Sequence, residues 1–128
     1  MSISQPKHVA VIGASGDRRK FGNIAVRAYR SEGWVVYPVN PHADEIEGLQ
    51  VFRRVIDIPG PVERATLYLR PEIGISILED VAAKQVEELF LNPGSESSEI
   101  IARAQELGIR PVVACSIVDI GRSPANPD

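Results

Sequence analysis

The residues best suited to chemistry stand near the N-terminus, in the stretch HVAVIGASGDRRKFGN, residues 8–23. An apolar run from His8 to Ile12 stops at Gly13, and the small residues Ala14, Ser15 and Gly16 follow. Three cations in a row, Arg18, Arg19 and Lys20, then lead to Gly22 and Asn23. Small residues leave backbone N–H groups uncovered, and Ser15 adds a hydroxyl. A helix starting here supplies unpaired donors and a partial positive charge, each such interaction worth roughly 0.3–1 kcal/mol. This is the outline of a phosphate-binding turn. The plainer reading makes Gly13 a tight turn and the cations a solvated loop.

The spacing argues against a dinucleotide. The G-x-G-x-x-G fingerprint needs a glycine where Ser15 stands, and Gly16 falls out of phase. An NAD site also wants a carboxylate near the end of the second strand, to hold ribose hydroxyls. The segment VVYPVNPHA has none, and the first acid is Asp44. Asn40, Pro41 and His42, just after Val39, occupy the place instead. No glycine-rich run followed by Lys and Ser/Thr exists, which excludes a P-loop NTPase.

A catalytic set is equally hard to find. His8 precedes a strand and belongs at the opposite edge of the sheet. His42 lies at the ligand edge with no carboxylate-plus-nucleophile partners, so it reads as a loop histidine or as a contact to a phosphate or base. Asp57 and Glu63 read as surface, and Asp119 has no visible acid/base partner. Cys115 is the single cysteine, so no internal disulfide forms, and with two histidines a zinc site is not expected.

These residues need elements to position them. Strand-like runs cover Val9–Ile12, Val35–Val39, Ala65–Leu69, Leu89–Leu91 and Pro111–Ala114. Between them, 23–32 has helical spacing and stops at Gly33. Pro71 suits the first turn of a helix showing Ile73, Ile77 and Val81 on one face. Ser95 is a candidate cap for a helix that stops at Gly108. Residues 40–64 are irregular, with Pro41, Pro59 and Pro61, and suggest a long crossover with a short strand or turn near Leu49–Phe52. Strand and helix alternate, and the strands are continuously apolar. This predicts an α/β, Rossmann-like, doubly wound sheet, mostly parallel, of about five strands with helices on both faces. With strand order 3-2-1-4-5, the ligand crevice falls between strands one and four, where the loops after Ile12 and Leu91 meet. The loops after strands two and three flank it.

Composition fits one domain over residues 1–128, with 1–7 and 122–128 as loose ends. The chain is 44% hydrophobic and 24% charged, with a formal net charge of −3. An acidic pI near 5.4 gives no nucleic-acid signal. No apolar stretch approaches the roughly 18 residues of a membrane span, and no signal-peptide pattern opens the chain. The expectation is a cytoplasmic, metal-free protein that engages neither nucleic acid nor membrane.

The motifs VAVIGAS, FGNIAVRAYRSEGWVVYPVNP, EIEGL, LYLRP, LFLNPGSES and ACSIVDIG, in this order, resemble those of the small stand-alone CoA-binding proteins of bacteria and archaea. These are similar to the N-terminal domain of the succinyl-CoA synthetase alpha subunit. The resemblance spans roughly residues 7–121. It implies coenzyme A lying across the carboxyl edge of the sheet. Carried over by position, Gly13, Ala14 and Ser15 meet the nucleotide phosphates, with Lys20, Gly22 and Asn23 next to them. Val39, Asn40, Pro41 and His42 border the adenine and ribose. Leu69, Arg70 and Pro71 form another wall, and Asn92, Pro93 and Gly94 flank the pantetheine arm. Cys115 ends the fifth strand on the same edge, within reach of a disulfide with the ligand thiol. In the synthetase the catalytic histidine lies in another domain, and nothing in this chain replaces it. The implied function is binding of CoA or an acyl-CoA without catalysis. The rivals are a small NAD- or CoA-dependent oxidoreductase and a protein-interaction module with an idle nucleotide site. A homodimer or a protein partner is compatible with either.

Overall fold

A computed structural model describes residues 5–128. In chain order the strands are β1 (His8–Ile12), β2 (Val35–Val39), β3 (Glu45–Ile46), β4 (Leu49–Gln50), β5 (Arg64–Leu67), β6 (Glu88–Leu91) and β7 (Arg110–Val113). The helices are α1 (Phe21–Ser31), α2 (Pro71–Gly74), α3 (Leu78–Ala83), α4 (Ser98–Glu106) and α5 (Ser116–Asp119). The five long strands form a wholly parallel sheet in the order β2-β1-β5-β6-β7, and β3 and β4 form a separate antiparallel pair.

Side chains alternate along a strand, so each strand feeds both faces. In β1, Val9 and Val11 pack with Ala25, Val26, Ala28 and Tyr29 of α1 and Ile117 of α5. Ala10 and Ile12 face the other layer, with Leu78 and Val81 of α3 and Ile100 of α4. This two-sided burial is why the strands read as unbroken apolar runs. Both edge strands carry a proline, Pro38 in β2 and Pro111 in β7. A proline has no N–H to offer an incoming strand, which blunts the edges.

The strand order corrects the sequence expectation. Counting the long strands alone, it runs 2-1-3-4-5, so β5 lies beside β1 and not outside β2. The crossover after β2 explains it. Phe52 pairs with Val39 along the free edge of β2 and covers the place an outer strand would take. Val55, Ile58 and Val62 then bury on the face opposite α1, among Ala10, Ala65 and Leu67. The chain therefore returns across β1 and enters β5 on its far side. The reversal point moves from strands one and four to β1 and β5.

Three local expectations also change. The helix after Pro71 is broken: α2 ends at Gly74, a 3₁₀ turn spans Ile75–Ile77, and α3 follows. The 3₁₀ turn shifts the helical phase. Gly74, Leu78 and Val81 become the buried face and Ile73 stays 45% exposed. The cap of α4 is Ser97, whose side chain accepts from the Ile100 amide, and not Ser95, which is buried. The C-terminal segment is not loose. Arg122 pairs with Glu32 at 2.6 Å, Pro127 is buried, and Asp128 pairs with Arg27 at 3.1 Å. Residues 1–4 of the expected N-terminal loose end lie outside the described residues.

Candidate functional site

The carboxyl ends of β1 and β5 carry the two loops at the reversal point, and these loops touch. Gly13 adopts φ +89°, and a Cβ on it would meet Tyr68 O at 3.0 Å and Leu69 Cδ2 at 3.1 Å. Gly22, in the first turn of α1, sits against the same turn: its Cβ would stand 2.1 Å from Gly13 O. Both glycines are therefore required by close backbone approach.

The expected phosphate donors are redistributed. The amides of Gly13 and Ala14 both donate to Val39 O, at 3.1 and 3.3 Å, so they tie β1 to β2 and are not free for a ligand. The Ser15 hydroxyl accepts from the Asp17 amide at 3.0 Å and shapes the loop. Among the described residues, the amides of Ser15 and Gly16 and of Phe21 and Gly22, at the start of α1, have no protein acceptor. Of the expected contacts, Ser15 and Gly22 thus keep free amides, and Gly16 and Phe21 join them. Lys20 precedes α1 as its cap residue, without a side-chain cap bond.

Three asparagines, Asn23, Asn40 and Asn92, are committed to holding neighbouring segments together. Asn40 donates to Ala14 O at 2.8 Å, and its Oδ1 accepts from the amides of His42 and Ala43 at 2.7 and 3.1 Å. Asn23, fully buried, donates to Ser15 O at 2.9 Å and Glu47 Oε2 at 3.1 Å, while Arg27 Nε donates to its Oδ1 at 2.8 Å. Asn92, 2% exposed, donates to Thr66 Oγ1 at 2.7 Å and Leu67 O at 2.9 Å, and accepts from the Ser116 amide at 2.8 Å. One side chain in the first turn of α1 and one in each of the loops after β2 and β6 thus lock these segments to their neighbours. Sequence reasoning picked these residues and missed what they do. It also missed Glu47, whose carboxylate bonds Asn23 and lies 3.4 Å from Arg18. The i,i+4 spacing of Asn23 and Arg27 was the one available signal.

The remaining candidates separate by exposure. Pro41, His42, Arg70, Pro93 and Gly94 are exposed at the ligand edge. Arg70 caps α2 through its carbonyl, which accepts from the Ile73 and Gly74 amides, and Pro71 is the first helical residue, as expected. Leu69 lies beyond the end of β5, half-buried against the core. Gly94 adopts φ +96° and its amide donates to Glu96 Oε2 at 3.0 Å. Cys115 is half-buried just beyond β7 and packs in the same layer as Tyr68, the residue that follows β5.

Electrostatics sorts the cation run. Arg19 is turned back onto Asp17 through its backbone amide, Nε and Nη2, at 3.0, 3.1 and 3.0 Å. That contact holds the Asp17 carboxyl at about 2. Arg18 faces Glu47 and Asp128 at 3.4 and 3.5 Å. Lys20 alone of the three has no carboxylate partner among the described residues. Below the crevice, the Tyr68 hydroxyl is buried without a hydrogen-bond partner, and burial pushes it above the usual phenol range. Thr66 nearby offsets only part of this. No group of three or more potential metal ligands exists among the described residues, and no described helix is long and apolar enough to cross a membrane.

Residues 7–121 match the CoA binding domain family. The chain belongs to this family. Its curated relatives include an ADP-forming acetate–CoA ligase of Methanocaldococcus jannaschii, 32% identical over 66% of this chain and 12% of the ligase. Another is the alpha subunit of ADP-forming acetate–CoA ligase II of Pyrococcus furiosus, 27% identical over 94% of this chain and 29% of the subunit. The chain thus spans less than a third of either relative. Among solved structures, a conserved hypothetical protein of Pyrococcus furiosus superposes with a TM-score of 0.79 at 30% identity, covering 90% of this chain and 99% of that one. A dinucleotide-forming acetyl-coenzyme A synthetase of Ca. Korarchaeum cryptofilum superposes at 0.73 with 30% identity, over 86% of this chain and 26% of that one. The same fold thus makes up about a quarter of the synthetase and nearly all of the Pyrococcus furiosus protein.

Proposed function

We propose that this CoA-binding domain takes coenzyme A or an acyl-CoA across the carboxyl edge of its sheet and carries no catalysis of its own. Asn40 carries the choice of ligand. It stands at the end of β2, where a ribose-binding acid belongs in an NAD site, and its amide is spent on Ala14 O and on the His42 and Ala43 amides. At the end of β2 itself the ribose-binding acid is replaced by an amide, and the nearest exposed carboxylate of the turn, Asp44, faces Arg53. The Ser15, Gly16, Phe21 and Gly22 amides supply the anion contacts, with Lys20 beside them.

The binding-only reading is supported by the setting of the titratable groups near the edge. His42 is an exposed loop residue, and its amide, not its ring, is what the turn uses. Asp17 is paired with Arg19. Acyl or phosphoryl transfer of the kind named for the ligases would then fall to parts of those proteins outside the matched region. Native mass spectrometry of the purified protein tests this. Retained CoA or acyl-CoA supports the proposal. Retained NAD, or catalysed turnover of an acyl-CoA by the pure chain, contradicts it.

A further inference from the structure

Two adjacent arginines in the crossover have different fates. Arg54 is fixed to Asp80 by two bonds of 2.8 and 2.7 Å and joins the crossover to α3. Arg53 makes no such structural pair. Its neighbour Phe52 is pinned to the end of β2: the Phe52 amide donates to Pro38 O and the Asn40 amide to Phe52 O, both at 3.0 Å. This register holds Arg53 over the turn that follows β2. There its guanidinium donates to Pro41 O, and Nη2 lies 3.4 Å from Asp44 Oδ1. Arg53 is 61% exposed and Asp44 94% exposed. A pair this long and this open to water contributes little to stability.

In an open parallel sheet, a nucleotide whose phosphates sit at the first loop lays its ribose across the end of the second strand. A carboxylate there takes ribose hydroxyls, and an arginine there takes a phosphate on the ribose. Here the carboxylate position holds Asn40, whose polar atoms are used, and the cation over the same turn is Arg53, beside the exposed His42. A phosphate dianion accepts two parallel bonds from a guanidinium and is a stronger partner than an exposed aspartate. We propose that Arg53 reads the 3′-phosphate of the CoA ribose, exchanging Asp44 for it, and is the residue by which this site separates CoA from dephospho-CoA. The inference rests on the CoA reading and adds its specificity determinant.

Calorimetric titration of CoA and dephospho-CoA into wild type, Arg53→Gln and Asp44→Asn decides it, with NADP and NAD as controls for a 2′-phosphate. Loss of one charge-assisted pair predicts that Arg53→Gln weakens CoA by about 10- to 50-fold. Dephospho-CoA should stay within about twofold, since the variant removes nothing it touches. Asp44→Asn should tighten CoA by about two- to fivefold, the worth of an exposed charge contact, and leave dephospho-CoA unchanged. Equal weakening of both ligands, or an unchanged CoA affinity in Arg53→Gln, overturns the role of Arg53 while the CoA reading stands. Arg53-dependent binding of NADP stronger than that of CoA assigns the phosphate to the 2′ position and overturns it too. A wild type that binds neither CoA nor dephospho-CoA removes the CoA reading and this inference together.

Discussion

Gly22 lies so close to Gly13 that a Cβ on it would stand 2.1 Å from the Gly13 carbonyl oxygen. The start of α1 is thereby pressed onto the turn that ends β1, and both segments carry amides without a protein acceptor. Gly22→Ala must push them apart, because the obstacle is backbone. The expected cost is about 1–3 kcal/mol of stability, as for other overpacked sites. Affinity for CoA should fall by about tenfold or more as the donors separate, the equivalent of about 1.4 kcal/mol. Urea unfolding and calorimetry on the same variant read both effects. An alanine variant with native stability and affinity would show that the turn does not need this approach.

Asn40→Asp keeps size and shape but replaces the donor to Ala14 O with a carboxylate oxygen facing a carbonyl. The β1 and β2 loops should loosen, at a cost of about 1–3 kcal/mol for the lost and mismatched bond. CoA binding should weaken, and NAD binding should not appear, because the new acid is used up between the loops. Isothermal titration with both ligands checks this. Gain of NAD binding would mean that the side chain faces the ribose.

The cation run offers a contrast. Arg19 is folded onto Asp17, so Arg19→Ala should change CoA affinity by less than about twofold, as for an exposed ion pair. Lys20 has no carboxylate partner among the described residues, and Lys20→Ala should weaken CoA by roughly threefold to tenfold, more at low salt. The Asp17 contact also has a pH signature. Its carboxyl is held at about 2, so the pair is present above the ordinary carboxylate range and is lost only as pH falls through about 2. Binding measured from pH 5 to 8 should show no step from Asp17. The reverse ranking of the two variants would place Arg19, not Lys20, on the ligand.

How much of this was readable beforehand depends on the kind of fact. The strands of the main sheet were legible because burial on two faces makes continuous apolar runs such as Val9–Ile12. Their order was not, because it turns on where Phe52, Val55 and Ile58 pack, and an irregular crossover carries no periodicity. Asn23, Asn40 and Asn92 were legible as special residues at strand or loop ends. Their work was not, because an amide looks the same in sequence whether it meets a ligand or another loop. The free amides begin at Ser15 and not at Gly13 because the Val39 carbonyl takes the earlier two, a contact between segments 26 residues apart in sequence. Glu47 lies in the EIEGL motif, but its role was not legible, since its partner Asn23 is brought to it only by the β3–β4 hairpin.

Tyr68 gives a stability test independent of ligand. Its buried hydroxyl has no partner, so Tyr68→Phe should stabilise the fold by about 1 kcal/mol by removing an unmet polar group. The phenol is raised by burial, as is that of Tyr29, where Arg64 and Ser116 offset part of the effect. A raised phenol favours the neutral form in the fold. Its contribution is complete below the ordinary phenol range near pH 10 and is lost as pH rises through the folded value. Urea midpoints from pH 8 to 11 should fall at the alkaline end, with a shallower fall in Tyr68→Phe. A destabilised phenylalanine variant with an unchanged slope would mean the hydroxyl is paired after all.

The central claim is that this site takes CoA and not a dinucleotide, and a thermal-shift comparison of CoA, dephospho-CoA and NAD tests it most directly. Ligand at about 100 times its dissociation constant adds about 2.7 kcal/mol to the folded state. For a domain of this size that is a rise of roughly 8–15 °C. CoA should give that rise, dephospho-CoA a smaller one, and NAD at the same concentration little. A larger rise with NAD than with CoA, or no rise with any of the three, would contradict the account.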